Sequence, residues 1–206
     1  MKTVYILFSK THTRTGTLIR KVTGFEYNHV SIGFDPKSDT WYSFARVNRA
    51  LPLTGGFVKE SHFRLCDGGD IPVCVCKCSV SDSEYQHIKK IIRYFSQAST
   101  SAYNYLAAAL TPINVYVYTP DTFTCIGFVS YCLRRKIVSI EQLYNELSNQ
   151  IVYTGSYMAL TRNYQKEIDF RYFCHLGKTQ ILKTVLHNWH TLLHRYTYYT
   201  CISYRW

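Results

Sequence analysis

The sequence predicts an α+β domain whose strands form an antiparallel sheet. β-Prone runs prevail up to Val80, helical periodicity prevails after it, and the turn formers of DPKSD join two of the runs as a hairpin.

Val4 to Ser9 is a compact β-prone run, and the polar stretch Lys10 to Gly16 is a loop capping a short helix near Thr17 to Val22, which Gly24 ends. His29 to Phe34 and Trp41 to Arg46 are the hairpin strands. Leu51 to Gly56, with one Pro and two Gly, reads as loop, and Ile71 to Val80 alternates as a further strand. SDSE supplies a capping box, Ser81 with Glu84, and opens a helix whose Tyr85, Ile88, Ile91, Ile92 and Phe95 recur at helical spacing. Tyr103 to Leu110 predicts a second helix stopped before Pro112. Thr122 to Arg135 predicts a third, and Ser139 with Gln142 a weaker capping box for a short helix after it. Ile151 to Thr154 returns to the sheet. From Lys178 the series Ile181, Leu182, Val185, Leu186, Trp189, Leu192, Leu193 makes an amphipathic helix, and the chain ends in the aromatic run YTYYTCISYRW.

With 206 residues, 47% hydrophobic and 18% charged, the chain is about one domain's worth of sequence with material for a core. Its longest apolar runs, Val4 to Phe8 and Leu106 to Leu110, fall far short of the roughly 20 residues of a spanning helix. The N-terminus has a single Lys and no small-residue cleavage site, so a cytoplasmic protein is expected, with its eight cysteines as free thiols. The net charge of +11 suits nucleic acid, anionic lipid or acidic polymers without choosing among them. The tight cluster Arg134, Arg135 and Lys136 follows a helix, where cations complement the macrodipole.

Chemistry concentrates in DTFTCIGFVSYCLRRK. Asp121, Thr122 and Thr124 precede the apolar period Phe128, Val129, Cys132 and Leu133, which puts Cys125 in the first turn of a helix. Exposed N–H groups and the positive helix end favour a thiolate there, and an adjacent imidazole favours it further. The ordinary alternative is a buried structural thiol. In NHVSIG, His29 starts a strand whose Val30, Ile32 and Phe34 face the core, so His29 faces the other way and can act as a general base. The ordinary alternative is a surface or hydrogen-bonded histidine.

Taken together, TG..YNHVSIGFD, WYSFARV, GGFVKE and FTCIGFVSYCL resemble the circularly permuted branch of the NlpC-like papain-fold cysteine hydrolases, in which the His strand precedes the Cys helix by about a hundred residues. The resemblance covers Met1 to about Gly155. It implies a permuted papain-like fold with the antiparallel sheet packed against helices that include the nucleophile helix, Cys125 as nucleophile and His29 as base. The third, orienting residue departs from the family pattern: the strand after His29 offers Ser43, a weaker orienter, and GGFVKE offers the Glu60 carboxylate from a loop. Both remain candidates.

The expected division is a catalytic domain over 1–165 and a basic, amphipathic helical extension over 166–206. Cys74, Cys76 and Cys78 alternate along a strand, which suits small buried side chains better than a metal site. His187, His190 and His194 share a helix face without further ligands to complete a metal site. No nucleotide or nucleic-acid motif is present, so no specific nucleic-acid partner is expected. The expected function is a cysteine hydrolase that cleaves an amide, peptide or related acyl bond, without cofactor or metal. The rivals are an acyltransferase or lipid deacylase of the lecithin retinol acyltransferase type, whose C-terminal helix contacts an anionic lipid surface, and an inactive binding module on the same scaffold.

Overall fold

The computed structural model describes residues 1–51, 54–97, 102–110, 121–162 and 169–200. In chain order they form β1 (Lys2–Ser9), α1 (Arg14–Thr23), β2 (His29–Gly33), β3 (Trp41–Arg46), β4 (Gly55–Glu60), α2 (His62–Leu65), β5 (Pro72–Val80), α3 (Asp82–Gln97), β6 (Ala102–Tyr103), α4 (Tyr105–Leu110), β7 (Thr122–Phe123), α5 (Cys125–Leu133), α6 (Ile140–Leu147), β8 (Ile151–Ser156), α7 (Tyr157–Leu160), α8 (Phe170–Phe173) and α9 (Lys178–Thr200). Six strands make one antiparallel sheet in the order β4-β3-β2-β1-β5-β8, and β6 and β7 pair in parallel beside it.

Alternation along the strands divides the interior in two. On one face Val4, Ile6, Phe8, Val30, Ile32 and Phe44 pack with Cys74, Cys76 and Cys78 against the apolar sides of α3, α5 and α6. The three strand thiols are therefore core side chains. On the other face Leu7, Trp41, Val73 and Val75 are covered by Leu65 and Tyr157. β1 lies inside the sheet, between β2 and β5, and its Ser9 is directly opposite His29.

Local signals explain the helix ends. The Ser81–Glu84 box is closed in both directions, Glu84 N donating to Ser81 Oγ at 3.2 Å and Ser81 N to Glu84 Oε2 at 2.7 Å. At α6, Ser139 Oγ accepts from Gln142 N at 3.0 Å, while Gln142 Oε1 reaches one residue further back, to Val138 N. Thr13 Oγ1 caps α1 through Gly16 N, so that helix begins at Arg14, inside the stretch expected as loop. Gly24, at φ 69°, ends it.

Several boundaries differ from expectation. Gly55 and Gly56 open strand β4 instead of closing a loop, because Gly55 serves a close approach. A Cβ there would lie 2.6 Å from Tyr103 Cβ and 2.9 Å from the Ala45 carbonyl. The helices expected from Tyr103 and Thr122 start later, at Tyr105 and Cys125, because the residues before them pair as β6 and β7. The short α2, α7 and α8 had no periodic signal to announce them. Pro112, Lys166 and the tail beyond Thr200 lie outside the described residues.

The start of the C-terminal segment is bound to the sheet domain. Tyr172 is buried, Asp169 pairs with Arg64 at 2.7 Å, and the Tyr172 hydroxyl accepts from Arg46 and donates to Asp67. Asn48 Nδ2 donates to the carbonyls of Arg171 and Cys174, both at 3.0 Å.

Candidate active site

Cys125 is the first residue of α5. Thr124, in extended conformation, caps the helix by accepting from Gly127 N at 3.0 Å, which fixes the direction in which the first turn leaves β7. Apart from Tyr131 the residues of α5 are buried, and Phe128 packs its ring 5.2 Å from that of Phe44 on β3. The helix is thus held against β2 and β3, with Cys125 buried in its first turn.

His29 begins β2, and the residue before it is anchored. Asn28 Oδ1 accepts from Thr11 N at 2.9 Å and from the Arg20 guanidinium at 2.6 Å, while its Nδ2 donates to Thr11 Oγ1 at 2.7 Å. These contacts tie the loop after β1 and helix α1 to the entry of the strand, and so fix the backbone from which the imidazole projects.

The imidazole Nε2 donates to Glu60 Oε1 at 2.8 Å, and Cys125 lies near enough to the ring to act on its charge. Ser31, two residues along the same face of β2, donates to the other oxygen of Glu60. Burial disfavours a charged imidazole, but the Glu60 carboxylate and Cys125 outweigh it and push His29 up to about 10. Burial likewise opposes ionisation of Glu60, yet His29, Ser31 and the Arg64 guanidinium hold its carboxyl below the usual range. The result is a buried carboxylate–imidazolium pair with Cys125 beside the ring.

Of the two candidate orienting residues, Glu60 is the one in contact with His29. It does not come from a loop, because GGFVKE is strand β4 and Glu60 is its last residue. Ser43 is buried on β3 and donates to the Val30 carbonyl at 2.8 Å, so its hydroxyl serves the strand backbone instead of the imidazole.

Two neighbours escaped the sequence reading. Ser31 carried a signal, since it stands two residues from His29 in a strand, but the residue it holds lies 29 positions away. Tyr103 is beside Cys125; burial together with Cys125 and Tyr105 pushes its phenol up, so the hydroxyl remains protonated. Its ring lies 4.9 Å from that of Tyr105, the first residue of α4. Nothing local in SAYNYL distinguishes these rings from core aromatics.

No family model, curated protein or solved structure matches the chain.

Proposed function

We propose that the chain is a cysteine hydrolase acting on an amide, peptide or related acyl bond, on a permuted papain-like scaffold. The observation that carries this reading is the His29 ring bonded to the Glu60 carboxylate with Cys125, at the start of α5, beside it. Cys125 Sγ attacks the carbonyl carbon as thiolate, and the carbonyl electrons move onto oxygen. The first-turn amides of Cys125 and Ile126 are the donors offered to that oxyanion, since Gly127 N is occupied by the Thr124 cap. Collapse of the adduct breaks the bond to the leaving nitrogen or oxygen, which takes the proton of the His29 imidazolium. Water then adds to the thioester with His29 accepting its proton, and release of the carboxylic acid restores the thiolate–imidazolium pair. Glu60 keeps the ring in one orientation and stabilises its charged form, which a serine at that place would not do by charge. The carboxylate also favours an active enzyme over a binding module that retains only the scaffold.

The test is acyl trapping. The protein is mixed with an activated ester, quenched on the millisecond-to-second scale, and digested for mass spectrometry. The reading requires an acyl mass on the Cys125 peptide that decays with time, and its absence in Cys125→Ala. Acylation spread evenly over the other cysteines, or none, overturns it.

A further inference from the structure

The second assignment concerns α9 and does not depend on Cys125 chemistry. The apolar face of this helix of 23 residues divides into a half-buried inner stripe and an exposed outer stripe. The inner stripe, Ile181, Val185 and Leu192, is half-buried, and α9 packs along β6. Trp189 stacks on Tyr105 with ring centroids 6.3 Å apart, and Arg195 pairs with Asp121 at 3.8 Å. The outer stripe follows the helical spacing of Leu182 and Leu186, 58% and 59% exposed, and continues to the free edge of Trp189, 40% exposed.

The charge of the helix decides what this stripe fits. Residues 178–200 contain Lys178, Lys183 and Arg195 and neither Asp nor Glu, in a chain of net charge +11. Arg195 is turned to Asp121, while Lys178 and Lys183 are exposed beside the stripe. A second copy laid along the same face would oppose cations to cations with no carboxylate in either helix to pair them. A bilayer rich in anionic headgroups offers both requirements at once, apolar depth for the leucines and phosphate or carboxylate for the lysines. Among the described residues no helix is long and apolar enough to cross a membrane, so the contact is a lateral one.

We infer that α9 is a peripheral docking helix for an anionic lipid surface, inserting Leu182, Leu186 and the exposed edge of Trp189. Because α9 is fastened to Tyr105 and to Asp121, which precedes β7, docking holds the segment leading to Cys125 close to the bilayer.

The experiment is sedimentation of the full chain with vesicles of phosphatidylcholine alone and of phosphatidylcholine mixed with phosphatidylserine. The expected result is binding several-fold greater with phosphatidylserine, weakened by high salt. Leu182→Glu/Leu186→Glu, with an unchanged circular dichroism spectrum, lowers the bound fraction at least about tenfold. Should that variant not fold, Lys178→Glu/Lys183→Glu, confined to exposed charges, loses the preference for phosphatidylserine. Absence of wild-type binding, or equal binding by the variants, overturns the assignment. A dimer in light scattering that the leucine variant dissociates also overturns it, giving the face to a second copy.

Discussion

At the residue scale the account rests on Glu60. Its carboxylate accepts a hydrogen bond from Nε2 of His29 at 2.8 Å, and its second oxygen is held by Ser31, so the charge beside the ring is fixed in place. Glu60→Gln keeps the shape and removes the charge. The imidazole midpoint, at about 10 with the carboxylate present, then moves to lower pH in a histidine-resolved NMR titration. The basic limb of the pH profile of the proposed hydrolysis moves with it, and its kcat/KM falls about 100-fold or more. An unmoved midpoint would show that the carboxylate does not set the charge of the ring. His29 and Cys125 were legible in the sequence because each begins an element with a clear pattern, HVSIG for the strand and TCIGFVSYCL for the helix. Glu60 was legible only as one of two candidates, because its contact with His29 spans 31 positions and depends on how β4 is placed in the sheet.

At the element scale the site depends on where α5 begins. The N-cap Thr124 makes Cys125 the first helical residue, whereas a helix running from Thr122 would carry the thiol one turn inward, among bonded amides. Thr124→Ala removes the acceptor for Gly127 N and lowers stability by about 1 kcal/mol, read as a lower urea midpoint at unchanged slope. An unshifted midpoint would mean that packing of Phe128 on Phe44 alone sets the helix start. Periodicity announced α3 and α9, both long enough to show a repeating apolar face, and a capping box announced α6. It misread GGFVKE, because two glycines resemble a turn whenever the reason for them, the approach of Tyr103 to Gly55, lies in a distant segment. The two-residue strands β6 and β7 are too short to have a period, and their pairing moved two helix starts.

At the scale of the whole molecule the buried pair couples the site to stability. Glu60 is held below its ordinary 4.5, so its contribution is complete above about that pH and is lost as pH falls through the depressed value. His29 is raised from 6.5 to about 10, so its contribution is complete below 6.5 and is lost as pH rises toward 10. Both are complete between 4.5 and 6.5. The melting-temperature advantage of the wild type over Glu60→Gln is therefore greatest in that window and shrinks toward pH 10, and a constant advantage from about pH 5 to 9 would contradict the assignment. The α+β class and the antiparallel sheet followed from the order of runs, but strand order did not. Sequence alone did not show that residues 169–174 are bonded to Arg46, Asn48 and Arg64, so that the C-terminal segment begins as part of the sheet domain. The central claim is that one of the eight cysteines is made a nucleophile by an imidazole distant in sequence. Its most direct test is the rate of iodoacetamide alkylation of each cysteine against pH, in the native protein and in His29→Ala. The account predicts selective labelling of Cys125 at about pH 6, where an ordinary thiol is almost wholly protonated, and loss of that selectivity in the variant. Labelling of Cys125 no faster than its neighbours, or unchanged without His29, would contradict it.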